Sequence, residues 1–105
     1  MITCHISYVV DADKLAEFEE YARMWIDILP RFGGTHHGYF LPSEGESDVA
    51  LSLFSFPDFA SYERYRKAAP ADPDVQKAME FAKRTRSFSR YSRTFFRPVL
   101  PQAKA

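Results

Sequence analysis

The fold is decided by the stretch RFGGTHHGYFLPSEG, residues 31–45. All four glycines of the chain lie in it, together with two of the three histidines. Pro30 disfavours helical geometry just before it, and Gly33-Gly34 can supply positive φ, so a helix is predicted to end here. The alternation from Thr35 to Leu41 predicts a strand, and the polar run from Pro42 to Asp48 predicts a hairpin loop.

Outward from this stretch, the spacing of apolar residues predicts the remaining elements. Ile2 to Val10 has one apolar and one mixed side, as expected for a strand with one covered face. Helical spacing predicts a helix from about Lys14 to Leu29. Val49 to Phe56 is apolar at nearly every position, which predicts a central strand. Two more helical segments, separated at Pro70–Pro73, and a last strand from Ser87 to Arg97 complete the chain.

The order of these elements is strand, helix, strand, strand, helical segments, strand. This order predicts an α+β fold of the ferredoxin-like, split βαβ type, β-α-β-β-α-β, with an antiparallel sheet and the helices on one face. One domain is expected over residues 1–98, followed by a C-terminal tail at 99–105 whose last residues, 102–105, fray. The uncovered sheet face carries aromatic and polar residues, so a homodimer that covers it is expected.

Composition narrows the classes of protein further. A chain of 105 residues with 46% apolar residues suits one folded domain. The single cysteine, Cys4, excludes an internal disulfide and a cysteine-based zinc site. The N-terminus has neither a signal peptide nor a membrane span, so a cytoplasmic location and no membrane partner are expected by default.

The charge is zero overall but unevenly distributed. Residues 1–50 carry nine acids and three bases, and residues 51–105 carry five acids and eleven bases, so the halves are net −6 and +6. The basic half could bind an anionic ligand or nucleic acid, or the two halves could face each other within a monomer or across a dimer. Because the domain as a whole is not basic, the second reading is favoured and no nucleic-acid partner is predicted.

Four short segments resemble bacterial NIPSNAP-family proteins. They are RFGGTHHGY at 31–39, LPSEG at 41–45, FSFP at 54–57 and YERYR at 62–66, and the resemblance extends from Met1 to about Pro98. It implies a dimeric α/β barrel, in which two ferredoxin-like sheets pack face to face about a two-fold axis. Relatives in that superfamily bind small aromatic or polyketide-like molecules; some are cofactor-independent monooxygenases, and some bind or degrade haem. The resemblance assigns no catalytic residues.

The second strand carries the strongest candidates for ligand binding. Strict alternation would place Thr35, His37 and Tyr39 on one side, a polar cluster able to bind or deprotonate a phenol-like substrate. His36 would then face the helices, and His37 the open face where a partner closes a pocket. The alternative is that His37 is held by hydrogen bonds in a half-buried sheet or interface, since no carboxylate partner stands at a fixed spacing.

Two further residues are weaker candidates. Arg93 shares a strand side with Tyr91 and could hold an anionic aromatic ligand, or it could serve as an edge-strand charge that prevents aggregation. His5, one of the His pair and Glu44 could in principle bind a metal, but no motif supports this, so no metal and no cofactor is predicted.

Two classes of function remain open from the sequence. The first is a domain that binds a small aromatic or hydrophobic molecule in a cavity lined by the sheet, with or without cofactor-independent monooxygenase-like activity. The second is a non-enzymatic dimeric scaffold or interaction module. An enclosed cavity with convergent polar groups and a histidine of perturbed pKa would favour the first, and a cavity filled by Phe and Tyr side chains the second.

Overall fold

The computed structural model describes residues 1–101, and residues 102–105 of the predicted tail lie outside the described residues. Within residues 1–101, none of the helices is long and apolar enough to cross a membrane. The elements of this part of the chain are β1 (Ile2–Val9), α1 (Leu15–Ile28), β2 (Thr35–Phe40), β3 (Val49–Phe56), α2 (Phe59–Ala68), α3 (Pro73–Thr85) and β4 (Arg90–Phe96).

The four strands form one sheet in the order β2-β3-β1-β4, and each neighbouring pair is antiparallel. Alternate residues of β1, namely Cys4, Ile6 and Tyr8, are buried and pack with residues of the helices such as Phe18. The helices therefore cover one face of the sheet. The predicted α+β, ferredoxin-like fold is confirmed.

The helical boundaries follow the turn chemistry of the sequence. A 3-10 turn at Ala69–Ala71 separates α2 from α3, as the prolines predict. Asp72 then caps α3 by accepting hydrogen bonds from the backbone N–H groups of Asp74 and Val75. The Arg31 guanidinium binds both oxygens of Asp72, at 3.1 and 3.0 Å, and so links the turn before β2 to the start of α3.

The last strand is shorter than the predicted span from Ser87 to Arg97. Arg86 ends α3 in the left-handed conformation, with φ of 52°, and Ser87 is buried. The chain between α3 and β4 therefore turns before it can pair, and β4 begins at Arg90.

A β-bulge in β2 changes which side chains share a face. His36 pairs with Phe54, but the next pair is Gly38 with Leu53, so His37 is an extra residue with no pairing partner on β3. The extra residue shifts the alternation by one, and Tyr39 joins His36 on the helix face. The prediction that Tyr39 shares a face with Thr35 and His37 is therefore wrong.

Backbone conformation explains the glycine in this bulge. Gly38 has φ of 115°, in the region that side chains rarely adopt. A Cβ at this position would meet only the Phe40 ring, at 4.0 Å, so the backbone conformation rather than crowding requires glycine here. Close packing instead occurs at Gly34, where a Cβ would lie 2.9 Å from atoms of Leu29 and Phe56.

Candidate ligand-binding cavity

A cavity of about 380 Å³ lies between the sheet and the helices. Its volume falls in the lower part of the range of small-molecule sites, about 300–1,000 Å³. Side chains from the sheet, from all three helices and from the segment before β4 line it, and most of them are aromatic. The aromatic lining residues are Tyr8, Tyr21, Trp25, Tyr39, Phe54, Tyr62, Tyr65, Phe88 and Tyr91.

The histidine in the cavity wall is His36. Its ring stacks on that of Tyr39, with centroids 5.0 Å apart and planes inclined by 18°. The backbone N–H of Gly38 donates to its Nδ1 over 2.9 Å, so the neutral ring carries its proton on Nε2. Burial, assisted by the nearby His37, lowers the pKa of His36 from 6.5 to about 4. At neutral pH His36 is thus an uncharged hydrogen-bond donor.

The cavity tyrosines keep their protons as well. Burial raises the pKa of Tyr21 to about 12 and moves the pKa values of Tyr8, Tyr39 and Tyr65 upwards. For Tyr8, the neighbouring hydroxyls of Tyr39 and Tyr21 add to this effect. These four hydroxyls can therefore donate or accept hydrogen bonds at neutral pH, but none of them is a phenolate base.

Two other donors in the wall have no partner. Among the residues that the structure describes, Trp25 Nε1 and Arg93 Nε are buried and make no hydrogen bond. The Arg93 guanidinium lies 5.7 Å from the centroid of the Tyr91 ring. Burial raises the pKa of the nearby Cys4 thiol to about 11, although the charge of Arg93 acts against that rise. Because both atoms are sealed from solvent, they lie behind the cavity surface rather than on it.

The predicted site residues separate into two groups. Tyr39 and Arg93 line the cavity, and Arg93 shares its face with Tyr91 as expected. Thr35, His37 and His5 lie on the opposite, open face of the sheet. His36 faces the helices and His37 the open face, as predicted, but the cavity of the single chain is on the His36 side.

On the open face the polar side chains bind one another. The Ser55 hydroxyl lies 2.7 Å from His37 Nε2 and 2.7 Å from Thr3 Oγ1. The His5 ring meets Phe96 edge-on, with centroids 5.9 Å apart. Residues 1–101 contain no group of three or more His, Cys, Asp or Glu side chains placed to hold a metal ion. His37 is held by a hydrogen bond to Ser55, as in the alternative interpretation, but its side chain is exposed rather than half-buried.

Sequence reasoning missed His36, Trp25 and most of the tyrosines as cavity residues. Trp25 has the helical spacing of the apolar residues of α1, yet it is only partly buried and forms part of the cavity wall. One signal was present in the sequence, since Tyr8, Tyr62 and Tyr65 occupy positions of apolar periodicity where Phe would suffice for a core. A buried tyrosine hydroxyl needs a polar partner, which points to a polar interior site.

Comparisons with known proteins agree on family and fold. The NIPSNAP family model matches residues 5–101. Protein Atu4242 of Agrobacterium tumefaciens is 17% identical, with 94% of each chain covered and a TM-score of 0.77. An uncharacterised NIPSNAP domain protein of Burkholderia xenovorans is 19% identical, with 97% of this chain and 100% of that chain covered and a TM-score of 0.76.

A third solved structure extends the fold beyond the family. A candidate antibiotic biosynthesis monooxygenase of Nitrosomonas europaea is 11% identical, with 95% of this chain and 100% of that chain covered and a TM-score of 0.73. At these identities the structural likenesses establish the fold and no activity. No curated protein sequence matches the chain.

Proposed function

This chain belongs to the NIPSNAP family, and we propose that it binds a small aromatic molecule between its sheet and its helices. The solved NIPSNAP proteins of Burkholderia xenovorans and Agrobacterium tumefaciens are described as uncharacterised or of unknown function, so the proposal is argued from the geometry of this chain. The observation that supports this most is the wall of the 380 Å³ cavity, in which aromatic rings surround the polar side chains of His36 and Arg93. The rings leave the space open, which argues against a purely structural aromatic core.

The wall suits a flat, apolar ligand with a few polar atoms. Aromatic rings attract one another in stacked or edge-on arrangements, each pair being worth about 0.5–1.5 kcal/mol beyond area burial. The Arg93 guanidinium, which carries five N–H donors and makes no ion pair within residues 1–101, would fix the orientation of a ligand.

The same groups favour binding over proton abstraction. The neutral His36 ring presents Nε2–H, and the hydroxyls of Tyr8, Tyr21, Tyr39 and Tyr65 stay protonated at neutral pH. None of these five groups is poised to take a proton from a ligand, and all of them can donate a hydrogen bond to one. Cofactor-independent monooxygenase activity, one of the functions left open by the sequence, is therefore the second candidate after ligand binding.

Binding can be tested with bicyclic aromatic probes of different polarity. We expect ligand-observed NMR to detect binding of 2-naphthol, 2-naphthamide or 2-naphthoate at millimolar concentration or below. Met79 lines the cavity but is half exposed, so Met79→Trp should block the space without disturbing the core. Lys77→Trp adds the same ring to the same helix, away from the cavity, and is the matched control.

The two tryptophan variants make the outcome decisive. The proposed function requires Met79→Trp to weaken binding and Lys77→Trp to leave it unchanged. Failure of all three probes to bind the wild-type protein, or equal binding by the two variants, would contradict it.

For the open face of the sheet we propose a second copy of the chain as the partner. The support is an apolar surface that no helix covers, with Phe40, Val49 and Phe96 exposed to solvent. Sedimentation should give a homodimer, and a species at the chain mass of 12.2 kDa across the accessible concentration range would contradict the proposal. The cytoplasmic location and the absence of nucleic-acid and membrane partners stay predictions.

A further inference from the structure

The charges that line the cavity are unbalanced. Among residues 1–101, two arginines, Arg66 and Arg93, form part of its wall, and no aspartate or glutamate does. Within the described part of the chain, the ion pairs involve Arg23 and Arg31, and neither cavity arginine has a carboxylate within reach. A partly buried cation without a counter-ion is costly, so the cavity as it stands lacks a negative charge.

From this imbalance, and resting on the proposed function, we infer that the ligand is an aromatic acid whose carboxylate binds to Arg93. The guanidinium of arginine is a planar fork of N–H donors that matches the two oxygens of a carboxylate. Arg93 lines the cavity and makes no ion pair with the carboxylates of residues 1–101, as such a contact requires. The ring of the same ligand would lie against the aromatic side chains that fill the rest of the wall.

Arg93 is a better anchor than Arg66 because it is less exposed. Arg66 belongs to the exposed surface of α2, where water solvates its charge, whereas Arg93 projects from β4 beneath the helices. An ion pair away from solvent is screened less by salt, and charge-assisted hydrogen bonds there are stronger. We therefore expect the ligand carboxylate to bind Arg93 rather than Arg66.

The His36 donor lies on the opposite edge of the sheet from Arg93. Tyr39, Ser52, Ile6 and Arg93 form one row across β2, β3, β1 and β4. Three strand intervals of about 4.8 Å separate the backbones of the outer two strands by roughly 14 Å. His36, beside Tyr39, and Arg93 therefore enter the cavity from opposite edges of the sheet. A ligand that satisfies both would carry its acid group at one end and a carbonyl or hydroxyl at the other.

The test compares a carboxylate with its neutral amide of nearly equal shape. Calorimetric titration at neutral pH should show wild-type protein binding 2-naphthoate about ten- to a hundredfold more tightly than 2-naphthamide, the range expected for charge-assisted hydrogen bonds. Arg93→Gln should abolish this preference. Arg90→Gln removes the same charge from the same strand but from its open face, so it should preserve the preference.

Three outcomes separate the inference from the proposed function. Equal binding of the acid and the amide by the wild type would overturn the inference and leave aromatic binding in place. A preference lost in Arg66→Gln or Arg90→Gln, but kept in Arg93→Gln, would overturn the anchor. Absence of binding by the acid and the amide would overturn the inference, and absence of binding by 2-naphthol as well would overturn the proposed function with it. Thermal melts of each variant establish that the fold is intact.

Discussion

The two faces of this one sheet differ in how their polar groups are satisfied. On the open face, Ser55 binds both His37 and Thr3, so the polar groups of the sheet pair with one another. On the helix face, donors of Trp25 and Arg93 are buried without partners around a cavity. The difference teaches that apolar surroundings by themselves do not mark a core. The helix face is the more apolar of the two, yet it is the face on which buried polar atoms lack partners.

The adjacent histidines show the same contrast at the scale of one residue. His36 lies under the helices, where burial lowers its pKa to about 4. His37 lies on the other face, bonded to a serine hydroxyl. Because successive strand residues point to opposite faces, neighbours in the chain can experience very different environments. Their chemistry must be assigned face by face.

The largest difference between the faces should appear in stability. Phe56, on the helix face, is 1% exposed, whereas Phe96, on the open face, is 52% exposed. We expect Phe56→Ala to lower the free energy of unfolding by about 3–5 kcal/mol, since it leaves a cavity in the core. Phe96→Ala should cost about 0.5 kcal/mol or less at concentrations where the chain is monomeric. Urea unfolding measures both, and equal losses would refute the distinction between the two faces.

The bulge that assigns Tyr39 to the helix face should be the next most sensitive feature. Gly38 and Gly45 have φ of 115° and 95°, and neither is crowded. Gly38→Ala and Gly45→Ala should therefore cost similar amounts of stability, about 1–3 kcal/mol each, through backbone strain. Only Gly38→Ala should also weaken binding of 2-naphthamide, because it disturbs the positions of Tyr39 and His36. Equal affinities of the two variants would show that the bulge does not shape the cavity.

The smallest expected effect is a pH dependence of stability from His36. Its folded-state pKa of about 4 lies below the ordinary value of 6.5, so the unfolded chain takes up the proton first. The contribution of His36 to stability is therefore fully present above about pH 6.5 and is lost as the pH falls towards 4. We expect a loss of about 1–2 kcal/mol after allowing for partial solvent screening.

Matched variants isolate this titration from that of the other groups. His36→Asn keeps an acceptor for the Gly38 N–H but cannot titrate, so it should lose less stability than the wild type between neutral pH and pH 4. His37→Asn, altered on the open face, should retain the wild-type dependence. Urea unfolding at neutral pH and at pH 4 makes the comparison. If His37→Asn reduced the pH dependence and His36→Asn retained it, the dependence would not arise from His36.

Much of the architecture could be predicted because it rests on short-range chemistry. The apolar alternation of β1, the helix stop at Gly33 and the Asp72-Pro73 start of α3 each reflect local rules of burial and backbone geometry. The family resemblance, carried by residues 31–39, 41–45, 54–57 and 62–66, is confirmed by the family match. The placement of Arg93 beside Tyr91 also followed from alternation, because β4 is regular there.

Only the tertiary structure decided which side chains of β2 share a face, because that depends on the bulge. The extra residue His37 arises from pairing with β3, which no local pattern reveals, and it moves Tyr39 away from Thr35 to the side of His36. The cavity likewise requires side chains from β1, β4 and three helices to converge, and so depends on contacts between distant parts of the chain. The sequence by itself determined the elements and their order, since these depend on neighbours a few residues apart. Which face holds the unsatisfied donors was decided by packing, because burial and hydrogen-bond partners are properties of the assembled layers.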